Sequence, residues 1–306
     1  MKTAVVVTIR NEEKDLLWFL KALEAQSRKP DLVVLAIAES NDKTVDIARD
    51  WQMNTSLLVL VDIRKAAKVA DRSVGRNIGT KIALREGAEI VVFTNVSKPF
   101  MYWLEFLTKA IEAGITDVEG GTWMIDAATP RENAMGLLTQ YTEGQFNLNT
   151  ISAMNMAVRS TVFDKVGLFR EDLDTSEDAE FVQRILKDKS IGVSMRQEAI
   201  VLWRPVTLDI AGAVKTNYQF AVTDALGGLW NKQYWATALV YFVIGWTALA
   251  YLLIGFHPLV NPVLGVITLG GWLTFRIRKV IRPFPSQIPY AVGSAFFMDM
   301  ARLLGH

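Results

Sequence analysis

The stretch TAVVVTIRNEEKDLLWFLKALEAQSRKPDLVVLAIAES, residues 3–40, decides the fold. It opens on a short apolar run rich in valine, Ala4–Val7, which ends too soon before Arg10 to be a signal-peptide core and reads as a first strand. A helix is expected from about Glu13 to Ala25, because Leu16, Leu17, Phe19, Leu20 and Leu23 repeat with a 3.6-residue period. Leu32–Ile37 then runs apolar without alternation, as a parallel strand buried on both faces does. The pattern continues outward, with a helix over Thr44–Trp51, a strand over Leu57–Val61, a helix over Val74–Arg85 and a buried strand over Ile90–Phe93. The order β-α-β-α-β-α-β predicts an α/β domain around a doubly wound, mostly parallel sheet. Ligands of such sheets gather beyond the carboxyl ends of the strands. The loops that matter are therefore Thr8–Glu12, Ala38–Thr44, Ile63–Arg76 and Thr94–Pro99.

Composition narrows the chemistry. The chain has 306 residues, 51% hydrophobic and 21% charged, which excludes a disordered chain or a coiled coil. Lys+Arg is 33 against 32 for Asp+Glu, a net +1 that argues against a dedicated nucleic-acid binder. There is no cysteine, so disulfides, zinc ribbons, iron–sulfur centres and thiol nucleophiles are all excluded. The 2 histidines, His257 and His306, stand near the end of the chain. Carboxylates, Arg, Lys, Asn and hydroxyls must carry any reaction of the first 250 or so residues.

The apolar excess is concentrated late. Tyr234 to Phe256 reads YWATALVYFVIGWTALAYLLIGF without a charge, and Pro258 to Phe275 is uncharged as well. At about 1.5 Å per residue each is of a length to cross a hydrocarbon core of roughly 30 Å. Arg276, Arg278, Lys279, Arg282 and Arg302 face only Asp299 in the tail, and short basic flanks stay cytoplasmic. Trp230, Trp235 and Trp272 suit an aromatic belt on that same side. The expected layout is a cytoplasmic catalytic domain over 1–208, an interfacial helical segment over 209–233, two transmembrane helices over 234–275 and a basic cytoplasmic tail over 276–306. Residues 209–233 also fit an ordinary amphipathic helix packed on the domain.

The segments VVVTIRNEEKDLLWFLKAL, ESNDKTVDIA, GRNIGTKIAL, VVFTNVSKP, MNMAVRSTVFDKVGLF and SEDAEF follow one another across residues 3 to about 205. In that order the chain resembles a family 2 glycosyltransferase of the GT-A type, and the uncharged runs behind it resemble the anchors of members that use polyprenyl-phosphate or other lipid acceptors. The resemblance implies a nucleotide-sugar donor, a UDP- or GDP-sugar. It also implies roles by position. Thr8, Arg10, Asn11 and Glu12 would hold the nucleoside, although Asn11 also reads as a helix N-cap with acids in the first turn. Asp42 lies in the turn Ser40-Asn41-Asp42-Lys43-Thr44. The family's base-binding carboxylate falls here on Ile37 and Ala38, which leaves Glu39 as its replacement. Arg72, Arg76 and Asn77 sit around the R-N-x-G element, where a helix start favours phosphate; Arg72 and Arg76 are the guanidiniums expected to meet the diphosphate, with a solvated helix face as the alternative. Arg204, next to Trp203, stands where relatives place a group near the donor phosphates. Gly120, Gly121 and Asn155 match the strands beside the acceptor.

One element departs from the family. Its D-x-D, which holds Mg²⁺ or Mn²⁺ against the diphosphate, is here Asn95-Val96-Ser97, oxygen ligands without charge. Either a cation is held weakly, mainly by the donor phosphates, or Lys98, Arg72 and Arg76 neutralise the leaving group without metal. The second is the preferred expectation, so no cofactor is assigned. Glu177 and Asp178 match the family's E-D pair, with Asp178 at the general-base position; Thr175-x-x-Asp178 is also a capping box. The Q-x-x-R-W signature of processive synthases is absent. The sequence thus leads to inverting transfer of a single sugar to a lipid-linked acceptor at the membrane, with a homo-oligomer compatible. A degenerate membrane scaffold is the rival, and a nucleotidyltransferase is disfavoured because Thr8–Glu12 has no glycine.

Overall fold

In the computed structural model residues 1–57, 59–64, 71–126, 151–173 and 175–203 are described, with Thr129, Leu148, Gln219, 222–224 and 226–229 besides. The chain divides into two compact units, one of Met1–Asp126 with Glu143–Arg204 and the other of Ala127–Thr142 with Pro205–His306. In the second unit the Thr223 hydroxyl donates to the Gln219 carbonyl at 2.8 Å, and Gly228 takes the left-handed conformation with φ 68°. Among the described residues no helix is long and apolar enough to cross a membrane. The expected spans over 234–275, the tail 276–306, most of 209–233 and Arg204 lie outside the described residues.

The first unit is built on strands β1 (Thr3–Ile9), β2 (Leu32–Ala38), β3 (Val59–Arg64), β4 (Ile90–Thr94), β5 (Lys98–Pro99), β6 (Val118–Ile125), β7 (Asn155–Arg159) and β8 (Val193–Trp203). They form one 8-stranded sheet in the order β3-β2-β1-β4-β7-β6-β8-β5. The pairs β1–β2, β2–β3, β1–β4 and β6–β8 are parallel; β7 runs antiparallel to β4 and β6, and β5 antiparallel to β8. The mostly parallel sheet is as expected, with β7 the exception in its middle. Helices α1 (Leu16–Glu24), α2 (Thr44–Asn54) and α4 (Trp103–Glu112) bury Leu16, Phe19, Leu20, Leu23, Trp51 and Leu104 against one face. On the other face lie α3 (Asp71–Arg85), α5 (Ser160–Val166) and α6 (Glu177–Lys187), which contribute Ala83, Phe163, Phe181 and Ile185. Contact of α3 with the sheet is so close that a Cβ on Gly79 would lie 2.3 Å from Cγ1 of Val6. Leu17 departs from the expected stripe. It stands on the outer face of α1 beside Trp18, both exposed.

With strands β1 to β3 laid out to one side and β4 to the other, the sheet reverses its winding between β1 and β4. The loops leaving their carboxyl ends must diverge there and open a crevice. The start of β7 faces the same edge, because Asn155 pairs with Thr94 at the end of β4.

Candidate active site at the carboxyl edge of the sheet

The loops after β1 and β2 are laced together by their own polar groups. Asn11 takes the left-handed conformation with φ 54°, and its amide oxygen accepts from the Asn41 N–H at 2.9 Å. The N–H of Asn11 donates to the Ser40 hydroxyl at 3.1 Å, and that of Glu12 to the Thr44 hydroxyl at 2.8 Å. Asn11 is therefore not the cap of α1; the residue before that helix is Asp15, and no side chain caps it. The Asp42 carboxylate accepts from the N–H groups of Thr44 at 3.0 Å and Glu13 at 3.2 Å. Burial pushes Asp42 up, but the hydrogen bond from the Thr44 side chain, together with those from the N–H groups, outweighs it and holds the carboxyl below its ordinary range. Glu12 goes the other way, from 4.5 to about 7, first through burial and then through the nearby charges of Asp15 and Asp42. Arg72, exposed on the first turn of α3, opposes that rise, so it stands within electrostatic reach of Glu12. Arg10 and Glu39 are exposed at the ends of β1 and β2, and Thr8 is half-buried in β1.

Beyond β4 the chain turns at Asn95-Val96-Ser97 into β5. Ser97 is buried, with its hydroxyl 3.4 Å from that of Thr94. Asn95 is half-buried. Lys98 pairs with Asp126 at the end of β6, and its ammonium lies 5.6 Å over the Trp18 ring. Asp126 was not anticipated from sequence; its only signal was a lone acid closing the strand-like run Thr122–Ile125. Among the described residues no cluster of three or more His, Asp or Glu side chains is placed to hold a metal ion. With a buried hydroxyl and one amide where carboxylates would be needed, residues 95–97 do not fit a protein-held divalent cation.

Asp178 stands in the first turn of α6, half-buried. One carboxylate oxygen accepts from the Ser152 hydroxyl at 2.6 Å and the Ala153 N–H at 3.1 Å. The other accepts from the N–H of Ala179 at 2.9 Å. Because Ser152 and Ala153 immediately precede β7, these bonds fasten Asp178 to the edge where Thr94 ends. The expected capping box is not formed. Helix α6 is preceded by Ser176 in the left-handed conformation, φ 57°, with no side-chain cap.

Glu177 is buried and bonded to Arg76 of α3, whose guanidinium lies 5.5 Å over the Phe169 ring. Arg76, expected at the diphosphate, thus faces inward to Glu177. Asn77 is also buried, donating to the Phe169 carbonyl at 2.9 Å and to Glu171 at 2.8 Å. Gly120, Gly121 and Asn155, expected on the acceptor side, occupy packed positions within the sheet. The Asn155 amide accepts from the Trp103 indole at 2.8 Å and donates to the carbonyls of Thr122 at 2.7 Å and Ala199 at 2.9 Å. Arg10, Asn11, Glu12, Glu39, Asp42, Arg72, Asn95, Ser97, Lys98 and Asp178 are the expected residues gathered at the carboxyl edge.

No protein-family model matches the chain, and no curated protein sequence does. Solved structures do. The mannosyltransferase PcManGT from Pyrobaculum calidifontis, in complex with GDP-Man and Mn²⁺, is similar with a TM-score of 0.65 at 15% identity, over 99% of this chain and 87% of that one. TarS from S. aureus is similar with a TM-score of 0.51 at 17% identity; all but 1% of this chain is covered, yet only 55% of TarS. Its 1–349 portion, in complex with UDP-GlcNAc, gives 0.50 at 16%. At such identities the likeness establishes a shared fold.

Proposed function

We propose that the chain transfers a single sugar from a UDP- or GDP-sugar to a lipid-linked acceptor at the cytoplasmic face of the membrane, with inversion at the anomeric carbon. The observation that carries this reading is the placement of Asp178, a carboxylate fixed by Ser152 and Ala153 at the edge where β1 and β4 diverge. The fold around it is one that PcManGT, which binds GDP-Man, and TarS, which binds UDP-GlcNAc, also use.

In this reading Asp178 accepts the proton of the acceptor hydroxyl as that oxygen attacks the anomeric carbon. The bond from that carbon to the diphosphate oxygen breaks on the opposite face, and the nucleoside diphosphate leaves. A general base so placed contributes roughly 10²–10⁴ in rate. An acceptor phosphate arrives already ionised, and Asp178 then orients it. The laced loops with Asn11, Glu12 and Asp42 take the nucleoside. Arg72 and Lys98 meet the leaving diphosphate; Lys98 keeps N–H donors beyond its bond to Asp126. Arg76 works through Glu177, holding the start of α6 and with it Asp178. A second reading, a catalytically degenerate membrane scaffold, is favoured by the missing carboxylates at Asn95-Val96-Ser97.

The test is transfer of labelled sugar from a panel of UDP- and GDP-sugars to a host lipid extract by the full chain in membranes. Wild type and Asp178→Asn are compared, each with and without EDTA. The expected result is transfer that survives EDTA and falls by about 10²–10⁴ in Asp178→Asn. Absence of both transfer and donor binding in folded protein would establish the scaffold instead.

A further inference from the structure

The outer face of α1 carries side chains that a helix in water normally hides. Leu17, Trp18 and Lys21, led by Lys14, follow the three- and four-residue spacing that puts them on one side. Beside them the turn from β5 into α4 presents Phe100, Met101 and Tyr102. Each of these five apolar side chains leaves between 44% and 53% of its surface exposed. The turn is locked to the end of α1: the Ser27 N–H donates to the Met101 carbonyl at 2.9 Å. The Gln26 amide donates to the Phe100 carbonyl at 2.9 Å and accepts from the Leu104 N–H at 3.1 Å. Single exposed apolar residues need no explanation, whereas a rigid group of them marks an interaction site.

The charges around this group single out its partner. Lys14, Lys21 and Lys109 are exposed there. Nearby Glu105 accepts from the Ser27 hydroxyl at 2.8 Å, and Arg28 pairs with Glu112 at 2.6 Å. Aromatic and aliphatic side chains rimmed by lysines match the boundary between acyl chains and anionic headgroups. The chain's own uncharged run from Tyr234 to Phe256 marks it for a bilayer as well.

We infer that this face, formed by α1 and the β5–α4 turn, docks onto an anionic lipid bilayer. Trp18 also lies against Lys98 at the mouth of the crevice, so docking sets that rim at headgroup level. Its consequence for a lipid acceptor rests on the function proposed above; the docking itself does not, and its test needs no turnover.

The absence of cysteine makes the test clean. Single-cysteine variants Leu17→Cys and Met101→Cys report on the patch. Met53→Cys and Ile115→Cys, at positions 76% and 77% exposed, serve as controls. Each full chain is labelled with an environment-sensitive fluorophore and reconstituted in phosphatidylcholine vesicles with or without phosphatidylglycerol. Probes at 17 and 101 are expected to be quenched by nitroxide lipids and shielded from aqueous iodide, most strongly with phosphatidylglycerol. Those at 53 and 115 are expected to behave oppositely. Adding Lys14→Glu and Lys21→Glu to the patch probes is expected to weaken docking roughly fivefold per lysine. Equal iodide quenching at all four positions would overturn the inference. So would concentration-dependent shielding of positions 17 and 101 in detergent without lipid, which would assign the face to a second copy.

Discussion

Glu12 and Glu177 are both acids drawn out of water near the crevice, and they differ in what compensates them. Burial and the neighbouring acids lift Glu12 to about 7. In the unfolded chain its proton leaves near 4.5, so between about pH 4.5 and 7 the folded state binds more proton than the unfolded one. Stability from this group is complete below that window and is lost as pH rises through it. Glu12→Gln, which does not ionise, is expected to flatten the fall in Tm between about pH 5 and 8 and to raise Tm at the upper end by roughly 2–4 °C, read by calorimetry. Glu177 is instead compensated by Arg76 at close range, with both side chains buried. Glu177→Gln leaves the guanidinium unpaired and should cost roughly 3–5 kcal/mol in denaturant unfolding.

At the scale of elements, Asn155 and Gly121 form one joint. The Asn155 amide ties β7 to α4, to β6 and to the irregular stretch of β8, and Gly121 leaves room for it. A Cβ on Gly121 would lie 2.4 Å from the Asn155 amide nitrogen and 2.5 Å from the Ala199 carbonyl oxygen. Neither atom is the end of a free side chain. Gly121→Ala is therefore expected to destabilise by roughly 1–3 kcal/mol, measured as a shift of the urea midpoint at unchanged slope. The strands and helices themselves were largely legible. Valine-rich runs marked β1, β2 and β4, and apolar spacing marked α1. Leu17 was misplaced because a 3.6-residue period defines a broad stripe and not its edge; the wall that α1 packs against decides which flank is covered.

For the whole molecule, the 8 strands found among the described residues lie within residues 3–203. Unit boundaries follow them, apart from the segment Ala127–Thr142, which joins the second unit. On the function proposed above, a chain ended after residue 208 is expected to bind a UDP- or GDP-sugar in calorimetry. In the same reading its transfer to a lipid acceptor falls by at least about tenfold, because the proposed tether to the membrane, which raises the effective acceptor concentration, is gone.

The sequence by itself determined the alternation of strands and helices and the edge at which a site must form. Those follow from local periodicity and from apolar runs that only a twice-covered strand permits. It also offered Asp178 as the base of the reaction proposed above. The direction of β7 was decided in three dimensions, since a strand buried on both faces reads alike whether it runs parallel or antiparallel. So were the partners. Arg76 and Glu177 stand 101 positions apart, Lys98 and Asp126 stand 28 apart, and no short-range pattern records which charge a distant one will meet. Only folding brought Arg76 inward to Glu177 and left Arg72 outside: the two share a face of α3, but Arg72 stands in the exposed first turn and Arg76 one turn further in, where the core covers it.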